Sequence, residues 1–296
     1  MKTIRVGTRE SALARAQTEL VISALRARHP DLAFEPVPIK SAADAMLNAR
    51  LDTVGGKGLF VRELEEALLR GTVDICVHSA KDMPVPGREE CIIAAVGPRG
   101  DVRDALVLPP GRTEPDLTLP SGTSSPRRAA QLPRISPGCR IAPVRGNIQT
   151  RLRKLENGEY GALILAMAGL KRLGLAERAA RVLSTDEMLP AAGQGTLVVQ
   201  GARGRDYDYL REYDDADARE ALEAERGFVE KLGATCASPV AALARVDGSA
   251  IIMEALVADN EGRILRASMT GTRGKAHRLG RDMAQQMQRD LCTRAK

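Results

Sequence analysis

Thr3-Ile4-Arg5-Val6-Gly7-Thr8-Arg9-Glu10-Ser11 opens the chain with a short apolar run that turns polar at its end. Residues 3–7 have the length and composition of a buried strand. Residues 17–28 follow as a helix with Leu20, Ala24 and Ala27 on one face, and residues 33–39 as a second strand. Pro36 and Pro38 lack the N–H that a ladder requires, which places that strand at a sheet edge. Residues 61–70 read as a helix through Leu64, Ala67 and Leu68, and residues 73–78 as a strand. This alternation predicts an open α/β sheet with helices on its faces.

The pattern recurs downstream. Residues 105–108, 140–144 and 162–166 read as strands, 148–156 as a helix and 169–173 as a helical turn. Gly- and Pro-containing stretches at 97–100 and 189–195 bracket this second unit as hinges. The strand at 196–200 is placed to return to the first sheet. Residues 207–217 are acidic and polar and read as a linker. Residues 218–232 are an amphipathic helix. Three strands (240–246, 251–257, 264–270) are separated by Asp247-Gly248 and Glu261-Gly262, both hairpin signals. A last helix, 276–291, spaces Leu279, Met283, Met287 and Leu291 by four. The end of the chain is therefore a small α+β domain with a three-stranded antiparallel sheet.

Composition narrows the function. The 296 residues carry a net charge of +6 but no Trp, three Phe and four Tyr. Nucleic-acid binders combine basic clusters with aromatic platforms, and no aromatic is interleaved with the basic run around Arg151. No stretch approaches the roughly 18 apolar residues of a membrane span, and the first residues turn polar too early for a secretion signal. Five cysteines (76, 91, 139, 236, 292) form no CxxC pair or disulfide framework, as expected in a reducing cytoplasm. No metal-ligand cluster is expected.

The positive charge falls in loops that follow strands, where ligands of open α/β sheets collect. Arg9 and Ser11 follow the first strand. His78-Ser79-Ala80-Lys81-Asp82-Met83-Pro84 follows the third. Gly122-Thr123-Ser124-Ser125-Pro126-Arg127-Arg128 and Val144-Arg145-Gly146-Asn147 precede helices, and Arg151 and Arg172 fall near helix starts. Glycine admits close backbone approach, hydroxyls add neutral hydrogen bonds, and guanidinium forks match carboxylates. Each charge-assisted bond contributes about 1.5–3 kcal/mol. Without a GxxxxGK(S/T) loop, a polycarboxylate is favoured over a phosphate. Asp82 stands alone among these cations, as a carboxylate aimed at developing positive charge or as a salt-bridge partner of Lys81. Cys236, in Gly233-Ala234-Thr235-Cys236-Ala237-Ser238-Pro239, is either a small buried apolar residue or a nucleophile in a polar loop. An enzyme and a non-catalytic two-lobe binding protein for a polycarboxylate both fit these residues.

Taken in order, the segments Gly7–Ser11, Val54-Gly55-Gly56-Lys57-Gly58-Leu59-Phe60, Val77–Pro84, 122–128, Arg145-Gly146-Asn147 with Thr150-Arg151, 166–174, 189–195 and Cys236-x-x-Pro239 closely resemble the porphobilinogen deaminase (hydroxymethylbilane synthase) family over nearly the whole chain. The resemblance implies two periplasmic-binding-protein-like α/β domains joined by a hinge, with the active cleft between them, and a third, α+β domain. The boundaries are 1–97 with 194–213, then 98–193, then 214–296. It implies a cytoplasmic monomeric transferase, acting without nucleic acid or membrane, that condenses four porphobilinogen molecules onto a dipyrromethane cofactor held to Cys236 by a thioether, and releases hydroxymethylbilane. Asp82 is then catalytic. Lys81, Asp82, Thr123, Ser125, Arg127, Arg128, Arg145 and Gly146 bind the cofactor with Cys236, and Arg9, Ser11, Lys57, Arg151, Arg172 and Gln194 bind substrate. Three positions depart from the family pattern. Ser41-Ala42-Ala43-Asp44 keeps only the acid of Thr-Arg-Gly-Asp, Thr53 replaces a lysine, and Ala234-Thr235 replaces Gly-Gly before the cysteine.

Overall fold

The computed structural model describes residues 1–40, 61–259 and 262–294. In chain order the main elements are β1 (Lys2–Arg9), α1 (Ala12–Arg28), β2 (Leu32–Ile39), α2 (Arg62–Arg70), β3 (Ile75–Ser79), β4 (Cys91–Val96), β5 (Asp104–Val107), β6 (Ser121–Gly122) and α3 (Pro126–Ile135). They continue with β7 (Ile141–Ala142), α4 (Ile148–Glu156), β8 (Ala162–Ala166), α5 (Met167–Arg172), β9 (Arg181–Val182) and β10 (Leu197–Ala202). The last are α6 (Ala216–Leu232), β11 (Val240–Asp247), β12 (Ala250–Ala258), β13 (Ile264–Thr272) and α7 (Ala276–Arg294). Two compact units result, Met1–Gly100 with Thr196–Arg219, and Asp101–Gly195 with Glu220–Lys296.

The first unit is a five-stranded sheet ordered β2-β1-β3-β10-β4. β1 runs parallel to β2 and β3, while β10 returns antiparallel between β3 and β4. Alternation along β3 sorts the two faces. Ile75 and Val77 join Ile4 and Val6 under Val21, Ile22 and Leu25 of α1, while Cys76 faces Leu64, Ala67 and Leu68 of α2. Helix α1 begins at Ala12, five residues before the periodicity suggested, because Ser11 caps it by accepting from Ala14 N at 3.2 Å. The proline-bearing β2 is an edge strand.

Two elements escaped the periodicity. Cys91-Ile92-Ile93-Ala94-Ala95-Val96 forms β4 without polar alternation, at an edge of the sheet with Ile92, Ile93 and Ala94 half-buried. Residues 207–217 are not a linker. Leu210 and Tyr213 are buried in the first core, with Tyr207 and Tyr209 packed against it and Phe34 beside Tyr209. Asp214 accepts from Val96 N at 2.7 Å and pairs with Arg219.

In the second unit, the sheet β7-β6-β8-β5-β9 repeats the plan, with β6 parallel to β7 and β8, and β5 antiparallel to β8 and β9. The predicted strand at 140–144 shrinks to two residues, because Pro143 cannot extend the ladder. The same unit contains the antiparallel meander β11-β12-β13. Ala224 and Phe228 of α6 and Met283 and Met287 of α7 share its core with Met253 and Ala255.

Among the described residues, no helix is long and apolar enough to cross a membrane.

Candidate functional site

In the first sheet the loops after β1 and β3 lie on one edge, since these strands are parallel neighbours. That edge carries Arg9, Ser11, Lys81 and Asp82. Ser79 Oγ accepts from Gln17 Nε2 at 2.8 Å, tying α1 to the end of β3. A single 3₁₀ turn, Ala80–Asp82, then turns the chain, held by Ala80 N donating to Thr196 O at 3.0 Å. It leaves Asp82 exposed and Lys81 half-buried. Beneath them His78 is buried and depressed to about 4, chiefly by burial and further by the charge of Arg9, against an opposing hydrogen bond with Gln200. His78 is therefore neutral. Lys57, with its 54–60 segment and the departures at 41–44 and 53, lies outside the described residues.

In the second sheet the carboxyl ends of β6, β7 and β8 share one edge with the start of β5, where Asp104 sits opposite Ala166. Ser125 N donates to the buried Thr123 Oγ1 at 3.1 Å and opens α3, which carries Arg127 and Arg128 in its first turn. Gly146, at φ 107, occupies the left-handed region that favours glycine, and its carbonyl accepts Arg151 Nε at 2.8 Å. Arg145 beside it is half-buried. Arg172 lies at the end of α5 and not at a helix start, because α5 begins at Met167; its Nη2 donates to Gly195 O at 2.6 Å.

The sequence reading missed Asp104, which organises this edge. It is fully buried, and Arg127 and Arg128 are 3% and 7% exposed. Arg127 Nη1 reaches Asp104 Oδ2 at 2.7 Å, and Arg128 Nη2 reaches Oδ1 at 2.7 Å. Burial alone would raise the Asp104 carboxyl, but the two guanidiniums outweigh it and hold it well below the usual carboxylate range. Burial pulls Arg127 down, Asp104 opposes this, and the like charge of Arg128 adds to the lowering.

Gln194, expected against substrate, is 1% exposed. Its Nε2 donates to Val102 O at 2.8 Å and to Asp104 Oδ1 at 3.0 Å, so it ties residues 102–104 to the 194 turn. Gln131, also missed, exchanges hydrogen bonds with the Leu189 backbone. Charge patterning could not reveal these partners, because Asp104 precedes Arg127 by 23 residues.

Cys236 is exposed on a turn whose ends bind each other. Ser238 N donates to Thr235 O at 2.9 Å, and Ala237 N donates to Thr235 Oγ1 at 3.2 Å. Thr235 therefore builds the turn with its side chain. Cys76 and Cys91 are buried, and burial pushes the first thiol well up and the second up to about 11. Such thiols are poor nucleophiles.

The periplasmic aliphatic sulphonate binding protein of Escherichia coli is similar at a TM-score of 0.40 and 13% identity, over 78% of this chain and 70% of that one. Porphobilinogen deaminases from Acetivibrio thermocellus and Alkaliphilus oremlandii are each 46% identical over 284 residues, covering 96% of this chain and 97% and 96% of those proteins. The enzyme of that name from Xanthomonas oryzae is 42% identical over 290 residues, covering 96% of this chain and 95% of its own. The family model for the porphobilinogen deaminase dipyrromethane cofactor-binding domain matches residues 4–209, and that for its C-terminal domain matches residues 220–289. With both domains matched in order and relatives aligned almost end to end, the chain belongs to the porphobilinogen deaminase family.

Proposed function

We propose that this chain is a transferase that joins four porphobilinogen molecules head to tail on a dipyrromethane primer attached to Cys236 and releases hydroxymethylbilane. The observation that carries the assignment to Cys236 is its exposure on a side-chain-built turn, whereas Cys76 and Cys91 are buried, Cys139 is half-buried and the other exposed thiol, Cys292, lies in the last turns of α7. A two-lobe binding protein has no use for such a thiol.

The residues present fit the cofactor. Two buried guanidiniums face a single carboxylate at Asp104, and Arg127 Nε is buried with no hydrogen-bond partner among the described residues, a donor suited to an acid side chain of the pyrroles. When bound, the dipyrromethane supplies the pyrrole carbon at which growth starts. The protein's part is electrostatic. Each porphobilinogen brings an acetate and a propionate, and Arg9, Arg145, Arg151 and Arg172 are assigned to them, with Ser11, Thr123 and Ser125 adding neutral hydrogen bonds. Lys57 is assigned there by resemblance alone. Asp82 accepts hydrogen bonds from pyrrole N–H groups and stabilises positive charge that develops on the rings. Its exposed place at the end of a short turn supports this role.

Three sheets, each with a core of its own, support the division into 1–97 with 194–213, 98–193 and 214–296. Five cysteines outside any disulfide support a cytoplasmic setting. We take the working form to be a monomer without nucleic acid.

Intact-mass spectrometry tests the reading. The purified chain should exceed its sequence mass by two condensed pyrrole units, and Cys236→Ser should remove the excess. A bare polypeptide mass in an active preparation would sink the assignment of Cys236.

A further inference from the structure

Helix α6 ends at Leu232, and the chain on either side of Cys236 is fastened within a few residues of it. Gly233, at φ 63, closes the helix in the left-handed region. Its N–H reaches Glu230 O and that of Ala234 reaches Val229 O, each at 3.0 Å. Beyond the cysteine, Val240 N donates to Ser238 O at 2.9 Å and Ala258 N to Pro239 O at 3.0 Å, which leads the chain into the last sheet. Thr235, Cys236 and Ala237 lie between these anchors.

Within that short span two hydroxyls act reciprocally on the backbone. Ser238 Oγ accepts Thr235 N at 3.0 Å, and Thr235 Oγ1 accepts Ala237 N at 3.2 Å. Thr235 O accepts Ser238 N at 2.9 Å. Three bonds thus enclose Cys236, which is itself exposed. The stability of the fold does not call for this arrangement. Thr235, Cys236 and Ala237 are all exposed, so water would satisfy the same N–H groups and each bond adds little to the folding free energy. What the bonds remove is local freedom. Threonine is stiff at χ1, and its hydroxyl is committed to the residue after the cysteine. Ordering of the reacting group is then complete on folding and is not repeated at each encounter with substrate.

On this basis, and resting on the functional reading above, we propose that Thr235 and Ser238 are positioning residues for cofactor attachment: their reciprocal bonds hold the backbone around Cys236 in the conformation from which its Sγ meets the aminomethyl carbon of porphobilinogen. In that step a carbon–sulfur bond forms and the carbon–nitrogen bond breaks. The thiol hydrogen leaves with the amine as ammonia, so nothing is oxidised or reduced. Neither hydroxyl exchanges a bond with the substrate.

The test uses the full-length chain produced in a host that makes no porphobilinogen. Mixed with porphobilinogen and followed by intact mass, it gives a loading rate. The same protein is treated with iodoacetamide, a small electrophile that needs no particular approach, and alkylation at Cys236 is read by peptide mass. Thr235→Val keeps the branched shape but removes the acceptor, and should slow loading by about threefold to tenfold, the worth of one neutral hydrogen bond. Ser238→Ala should do the same. Thr235→Ser keeps the hydroxyl and should restore most of the wild-type rate. In all three variants the alkylation rate and the denaturant midpoint should match wild type. Loading at the wild-type rate in both Thr235→Val and Ser238→Ala overturns the positioning role. So does a loss of loading that alkylation shares, which would mean a change in the thiol itself, or one that a lower midpoint accompanies, which would mean a structural role. A wild-type chain that gains no mass, or a Cys236→Ser chain that still gains it, overturns the functional reading, an outcome distinct from any difference among the variants.

Discussion

Ser238 Oγ accepts the backbone N–H of Thr235 at 3.0 Å, so the two residues that flank Cys236 and Ala237 close the turn on each other. The bond has a direct readout. Ser238→Ala removes the acceptor, and at about 1 kcal/mol for a neutral hydrogen bond the amide of Thr235 should exchange roughly fivefold faster. Hydrogen exchange resolved at residues 235–238 checks this. Unchanged protection would mean that the backbone holds the turn without its side chains.

Asp82 is exposed at the end of its turn, and little of the fold leans on its side chain. Asp82→Asn should therefore keep the thermal midpoint of the wild type while lowering kcat by about 10²–10³-fold, the usual cost of losing one preorganised electrostatic contact. Steady-state rates alongside a melting curve separate the two effects. Wild-type turnover in this variant would remove Asp82 from the chemistry.

His78 makes stability depend on pH. Burial holds it at about 4 in the folded protein, against an ordinary value of about 6.5 in the unfolded chain. Between these limits the unfolded state binds more protons, so unfolding free energy rises with pH. The contribution is complete above about pH 6.5, falls as the solution is acidified and is lost below about pH 4. Its ceiling is about 3 kcal/mol. Urea midpoints between pH 4 and 7 should show this slope in the wild type and a flatter one in His78→Gln.

Gly280 of α7 lies against the backbone of α6. A Cβ there would run into Ala224 O and Phe228 N, both backbone atoms that cannot swing aside. Gly280→Ala should destabilise the C-terminal domain by about 1–3 kcal/mol as overpacking does, read as a lower denaturant midpoint. A neutral result would show that the helices separate freely.

Much of this protein was legible in its sequence because the relevant signals are local. Short apolar runs at residues 3–7 and 73–78, prolines in the second strand and glycine turns in the last sheet each act over a few residues. They name an element and often its place in a sheet. The loops bearing Arg9, Lys81, Asp82, Thr123, Ser125, Arg145 and Gly146 could be found in the same way, since a loop after a parallel strand lies at a sheet's carboxyl edge.

Other features needed the folded chain. Residues 207–217 look like a linker until Leu210 and Tyr213 are seen filling the first core, because burial depends on what lies opposite and not on local polarity. The sequence by itself determined which residue types stand at the sheet edges, and with them the family. Only the tertiary structure decided that Arg127 and Arg128, identical and adjacent, do not hold equal bonds. Their difference arises from Asp104, Ile164 and Leu189, remote positions that folding brings within hydrogen-bond distance, and a one-dimensional pattern contains no distance of that kind.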